Sequence, residues 1–173
     1  MRRGTSGINA LIAVDKPLGM TSHDVVARVR RALGERRVGH AGTLDPDASG
    51  VLVVGVGQGT RLMGLLTAER KSYVGLVVLG SETETDDAEG QVTREADVPS
   101  WAWDEAVVRE RLARIEGPSM QVPPAYSAIS VNGVRSYARA RAGEQVELDA
   151  RPVTIHSASL AAIQDVEGRP GWL

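Results

Sequence analysis

The sequence predicts an α+β domain on a mixed, mostly antiparallel sheet flanked by helices. Three observations lead there. The chain has 173 residues, 42% of them apolar, enough for one sizeable core and too many for a disordered chain. Strand-like and helix-like stretches mix without the strict alternation of a doubly wound parallel fold. No internal repeat, low-complexity tract or interdomain linker interrupts them.

Residues 8–14 (INALIAV) read as a first strand, and DKPLGM turns the chain. Thr21 or Ser22 then caps a helix, SHDVVARVRRAL. Val25, Val26, Val29, Ala32 and Leu33 form its apolar stripe, Asp24 lies in its first turn and Gly34 supplies the stop. A glycine-rich loop leads into Val51–Val56, which reads as a fully buried strand. GQGTRLMGLL reads as a short helix entered at Thr60.

KSYVGLVVLG is expected to be a strand with Tyr73 near its start, and SETETDDAEG an acidic loop too polar to pack. VPSWAWDEAVVRERLARIEG reads as one helix with Val107, Val108, Leu112 and Ile115 on its apolar face, ended by Gly117 and Pro118. Asn132-Gly133 signals a hairpin. Residues Arg135 to Arg141 are expected to form a short helix closed by Gly143. VTIHSASLAAI is the last expected strand, and QDVEGRPGWL reads as a tail.

There is no cysteine, which excludes disulfides, thiolate metal sites and a thiol nucleophile. The N-terminus MRRGTSGINALIAVDKP has only a short apolar run, broken by Asp15. It fits neither a signal peptide nor a membrane span, so the expectation is a cytoplasmic protein. Net charge is −2, but its distribution is uneven. Residues 1–40 hold eight Lys or Arg against three acids; residues 81–110 hold two against ten. Eighteen of the twenty basic residues are Arg, whose planar guanidinium suits phosphate and base stacking. A compositional bias would produce the same excess.

The most informative stretch is GHAGTLDPDASGVLVVGVGQGTRL, residues 39–62. Asp45-Pro-Asp47-Ala-Ser49-Gly50 matches the first half of a calcium loop, but the twelfth position is Val56 where a bidentate Glu is needed. GVGQGT lacks the lysine of a phosphate loop. Asp45 and Asp47 share a face in extended backbone and could serve glycosidic cleavage. On spacing alone they read as turn residues around Pro46.

A resemblance changes that reading. VGHAGTLDPDASGVL resembles the signature of the tRNA pseudouridine synthase B family, the bacterial tRNA pseudouridine-55 synthases. AVDKPLGMTSHDVVARVRRAL, RKSYVGLVVLGSETETDDAEG and PPAYSAISVNGVRSYARARAG resemble further segments of the same family, in family order and over nearly the whole chain. The resemblance implies the catalytic-domain fold of a pseudouridine synthase. It implies an isomerase that converts a T-loop uridine of tRNA to pseudouridine, cofactor-free and metal-free, and a monomer without membrane contact.

Asp45 falls on the family's catalytic aspartate. A carboxylate there can attack a sugar or base carbon, or take a proton from the sugar. Tyr73 matches the tyrosine that stacks on the flipped base; by itself it reads as a half-buried strand tyrosine. His40 matches a histidine that holds the loop nucleotides open, and alone reads as a loop residue. Lys16 matches a lysine near the site, where the plain alternative is a surface turn lysine. Asp87 matches an acidic position that contacts the target nucleotide, or else is one charge in a solvated loop.

The chain also departs from the family pattern. The family commonly has an apolar residue where Asp47 stands, and usually a lysine at the place of Ser130. Residues 1–173 are expected to be the N-terminal part of the catalytic domain. An arginine-bearing strand that pairs with the catalytic aspartate and a PUA-type RNA-binding domain are absent. The expectation is therefore a truncated synthase with little activity of its own. The alternative is a non-catalytic tRNA-binding or tRNA-folding module left by the truncation.

Overall fold

The computed structural model describes residues 6–67, 70–124, 130–131, 134–136, 139, 142, 144 and 148–173. The architecture is α+β, and every described strand pair is antiparallel. The chain divides into two compact units, Met1–Ser72 and Tyr73–Leu173. No helix among the described residues is long and apolar enough to cross a membrane.

In the first unit, β1 (Ala10–Lys16), α1 (Ser22–Leu33), β2 (Val38–Ala41) and β3 (Gly50–Val56) make a helix-backed sheet of order β1-β3-β2. A 3-10 turn (Gly57–Leu62) and α2 (Met63–Thr67) follow. β3 is the central strand, with Lys16 opposite Gly50 on one side and His40 opposite Val54 on the other. Val25 and Val26 of α1 close against Val38, Leu52, Val54 and Val56, with Ile12, Val14, Met20, Val29, Leu33 and Leu44 packed around them. Each large apolar side chain so buried contributes about 1.5–3 kcal/mol.

The start and stop of α1 follow from local chemistry. The Thr21 side chain accepts the N–H of Asp24 while the Asp24 carboxylate accepts the N–H of Thr21, a reciprocal capping box. The Thr21 hydroxyl also donates to the Asp24 carboxylate at 2.6 Å, and this bond first, then that of the Thr21 N–H, holds the Asp24 carboxyl below its ordinary value. Gly34 ends the helix at φ 60°, where a side chain would be strained. Gly59 lets the 3-10 turn lie on β1: a Cβ there would fall 2.2 Å from the Ala10 carbonyl oxygen. Glu35, 3% exposed, accepts from the Arg37 N–H and from both the N–H and hydroxyl of Ser6. These bonds, Arg37's first, keep its carboxyl below the usual range.

The second unit holds β4 (Val77–Val78), β5 (Ser81–Thr83), β6 (Val92–Glu95), a 3-10 turn (Ser100–Trp103) and α3 (Glu105–Ala113). After them come β7 (Gly117–Gln121), β8 (Ser130–Val131), β9 (Val134–Arg135), β10 (Arg151–Ile155), β11 (Ile163–Val166) and β12 (Arg169–Trp172). They pair as β11-β12-β4, β5-β6, β7-β10 and β8-β9. The Trp172 indole N–H donates to the Ala102 carbonyl at 2.9 Å, and the Arg111 guanidinium lies 3.8 Å from the centre of the Trp101 ring.

Several elements differ from the sequence reading. β2 lies in what reads as loop, because four residues rich in Gly and Ala carry no alternation. β3 is not buried throughout: Val51 is 70% exposed. The helix expected from Thr60 starts at Gly57 as a 3-10 turn. Of the strand expected over residues 71–80 only Val77–Val78 pairs, with β12; residues 71–76 form no ladder with any described strand. The acidic loop is instead the turn of hairpin β5-β6.

Residues 98–117 do not make one helix. Asp104 accepts the N–H groups of Ala106 and Val107 and so opens α3 afresh after Trp103. Ile115 is half exposed, beyond the helix end. Gly117 and Pro118 belong to β7 rather than a simple stop. The expected tail is hairpin β11-β12, turned by Glu167 and Gly168, both at positive φ. β8 and β9 pair as Asn132-Gly133 predicts, though those two residues lie outside the described ones. The helix expected over Arg135 to Arg141 falls largely outside them too.

Candidate active site

The first unit builds its site in the connection between β2 and β3. Ala41 ends one strand and Gly50 begins the next, leaving residues 42–49 to cross between them. Asp45 stands in the middle with its side chain exposed. Among the described residues, none hydrogen-bonds or ion-pairs with its carboxylate.

The backbone on both sides of Asp45 is held. Before it, the Ser22 hydroxyl donates to the Leu44 carbonyl at 3.1 Å and accepts the Leu44 N–H at 3.0 Å. After it, the Pro46 carbonyl accepts the Gly19 N–H at 2.8 Å and the Lys16 ammonium at 3.4 Å. The Ala48 N–H closes a turn onto the Asp45 carbonyl at 3.1 Å. The result is a free carboxylate on an anchored peptide, suited to act as nucleophile or base without first breaking a bond of its own.

Lys16 is not a surface turn lysine. Its side chain is 0% exposed, and its ammonium also donates to the carbonyls of Pro17 (3.0 Å) and Met20 (2.7 Å). A buried ammonium is tolerated only with such partners. Its place is beneath the loop, fixing the DKPLGM turn and Pro46 together.

His40, on β2, is partly buried. Its Nδ1 lies 2.7 Å from the Gly42 carbonyl, which fits an Nδ1–H donor and leaves Nε2 available. The His23 ring meets it edge-on, centroids 5.4 Å apart. The structure therefore brings Asp45, His40 and Lys16 into one unit, around one hairpin connection.

Tyr73 and Asp87 belong to the second unit. Tyr73 is 66% exposed, followed by the still more open Val74. The Asp87 carboxylate accepts the Thr85 hydroxyl at 2.6 Å and the Glu89 N–H at 2.9 Å, and its carbonyl accepts the Thr83 hydroxyl. It thus shapes the acidic turn as well as facing solvent. Asp47 is exposed two residues from Asp45. Sequence reasoning missed the hold of Ser22 on Leu44. Ser22 reads as a cap candidate, and only the pairing of Thr21 with Asp24 frees its hydroxyl for another task.

Known proteins resemble this sequence. The family model described as TruB family pseudouridylate synthase (N terminal domain) matches residues 30–169. The tRNA pseudouridine synthase B of Nocardia farcinica (strain IFM 10152) is 52% identical over 166 residues, covering 96% of this chain and 54% of that protein. The protein of the same name from Thermobifida fusca (strain YX) is 52% identical over 163 residues, covering 94% and 55%. This chain thus spans about half the length of the curated relatives it matches. A chain of the crystal structure of a Cbf5-Nop10-Gar1 complex has a TM-score of 0.50 at 24% identity, covering 97% of this chain and 39% of its own length. That last likeness speaks for the fold alone. The chain belongs to the TruB family of pseudouridylate synthases, through the N-terminal domain that the family model describes.

Proposed function

We propose that Asp45 is the catalytic aspartate of a synthase that isomerises a T-loop uridine of tRNA to pseudouridine. The observation that carries this is the exposed Asp45 carboxylate, without a partner among the described residues, on a backbone held at both neighbouring residues, in a chain half identical to proteins named tRNA pseudouridine synthase B.

In the reaction the C1′–N1 bond breaks, the base turns and a C1′–C5 bond forms. The C5 proton is lost and N1 gains one, so the atoms balance without an oxidant, reductant or cofactor. Asp45 supports the step by attacking a carbon of the nucleotide or by removing a sugar proton. The uridine must first leave the loop's stack, at a cost of a few kcal/mol. Tyr73 offsets part of that by stacking on the base, worth ~1–3 kcal/mol. His40 props the vacated stack, Lys16 holds the Asp45 loop from below and Asp87 contacts the target nucleotide. The exposed Arg28, Arg30 and Arg31 of α1 meet phosphates of the RNA, where specificity rests on shape and backbone as well as bases. The protein works as a monomer in the cytoplasm. Residues 1–173 are the N-terminal part of the catalytic domain, completed in the family pattern by an arginine-bearing strand and a PUA-type domain.

The test is pseudouridine formation in an unmodified tRNA transcript, with the parent chain and Asp45→Asn side by side. Product from the parent and none from the variant, with RNA binding kept by both, is the expected result. Equal product from the two ends the assignment of Asp45. Binding without product from either favours a chain that grips tRNA and leaves the chemistry to residues outside it.

A further inference from the structure

We infer that Ser22 is the positioning residue of the Asp45 loop: its buried hydroxyl fixes the peptide of Leu44 and thereby the direction in which Asp45 presents its carboxylate. The inference rests on the reading of Asp45 as the catalytic group.

Ser22 is the first residue of α1 and is 1% exposed. Serine near a helix start usually caps it, but Thr21 and Asp24 already do so reciprocally. The Ser22 hydroxyl is turned the other way, across 22 residues of sequence, to Leu44. It donates to the Leu44 carbonyl and accepts the Leu44 N–H. A hydroxyl has one donor and two acceptor lone pairs, so a single side chain can answer both polar groups of one residue. Leu44 lies between β2 and β3, where no strand pairing is available to those groups.

Three consequences follow from the geometry. The Leu44 side chain, packed against the core cluster of α1, β2 and β3, and its backbone, held by Ser22, are fixed together. Asp45 is left between a fixed residue 44 and a Pro46 carbonyl held by Gly19 and Lys16. With no hydrogen-bond partner for its carboxylate among the described residues, the held backbone is what sets the origin and the Cα–Cβ direction of the Asp45 side chain. Reacting groups displaced by about 1 Å lose on the order of 100-fold in rate.

The experiment compares the parent, Ser22→Ala, Ser22→Thr and Asp45→Asn for three quantities: the single-turnover rate at saturating tRNA transcript, the tRNA Kd and the exchange rate of the Leu44 amide. Ser22→Ala is expected to lower the rate by roughly 10- to 100-fold, to leave Kd within about twofold because it touches no surface, and to speed Leu44 exchange. Ser22→Thr, which keeps the hydroxyl, is expected to recover rate and protection. A structural role alone would move Kd and melting temperature with the rate. If Ser22→Ala melts early, Ser22→Cys, similar in size but a weak hydrogen bonder, replaces it.

An unchanged saturating rate in the alanine variant, or a threonine variant no better than alanine, overturns the inference while inactivity of Asp45→Asn leaves the catalytic reading standing. Full activity of Asp45→Asn defeats the catalytic reading and this inference with it. If the parent forms no product, the Leu44 amide and the Asp45 carboxyl carbon resonance decide. Fast exchange with a shifted resonance in Ser22→Ala supports the inference, and no change in either defeats it.

Discussion

The Lys16 ammonium reaches the Pro46 carbonyl at 3.4 Å across thirty residues of sequence. One end of β1 is thereby tied to the residue that follows Asp45. The same nitrogen serves the Pro17 and Met20 carbonyls, so turn and loop share a single donor.

Replacing Lys16 with Met keeps the stem and removes three hydrogen bonds from a charged donor. Bonds to charged groups contribute about 1.5–3 kcal/mol, and the carbonyls left behind are partly buried. Lys16→Met is therefore expected to lower unfolding free energy by roughly that amount in a urea titration and to reduce product formation sharply. Full stability and activity in this variant would show that the ammonium does not hold the loop.

Glu35 sets a pH dependence whose sign is fixed by its bonds. Its folded carboxyl is held low by the Arg37 and Ser6 N–H groups. A group depressed in the folded state stabilises fully above its unfolded value, about 4.3 for Glu, and loses that contribution as pH falls through the folded value. Asp24, held low by Thr21, acts in the same direction. Melting temperature is expected to be flat from pH 7 to about 5 and to fall below that. Glu35→Gln should be less stable at neutral pH and show a shallower fall. An identical fall in parent and variant would rule Glu35 out as a contributor.

Asp47 places a second exposed negative charge beside the loop proposed to meet RNA. Asp47→Asn removes the charge and keeps the shape. We expect tRNA binding to tighten roughly threefold to fivefold at low salt, with the gain fading as ionic strength rises. Binding that is unchanged or weaker at low salt would mean Asp47 faces away from phosphate or makes a contact of its own.

Where local chemistry decides, the sequence was readable. Thr21, Asp24 and Gly34 mark both ends of α1, and the helix runs between them. Asn132-Gly133 marks a hairpin whose flanking strands pair. Asp45 could be named only through resemblance, because two aspartates around a proline look like any turn. Tertiary pairing accounts for the rest. Residues 71–76 lead into the apolar run Leu76–Leu79 and read as one strand with it, yet no described strand pairs with them. SETETDDAEG looks too polar to pack, yet its first residues, Ser81–Thr83, pair with Val92–Glu95. Glu167-Gly168 is a hairpin turn whose glutamate takes a left-handed φ that sequence rarely announces. The burial of Lys16 was illegible because lysine is seldom buried; only its three carbonyl partners make it possible.

Each anchor of the Asp45 loop ends on a main-chain atom: the N–H and carbonyl of Leu44, and the carbonyl of Pro46. Main-chain atoms persist through substitution. The side chains of Thr43, Asp47 and Ser49, all exposed, make none of these bonds, so replacing them leaves the grip beneath intact. On the proposed reading, substitution can retune the side chains that meet RNA one codon at a time while the Asp45 backbone keeps its place.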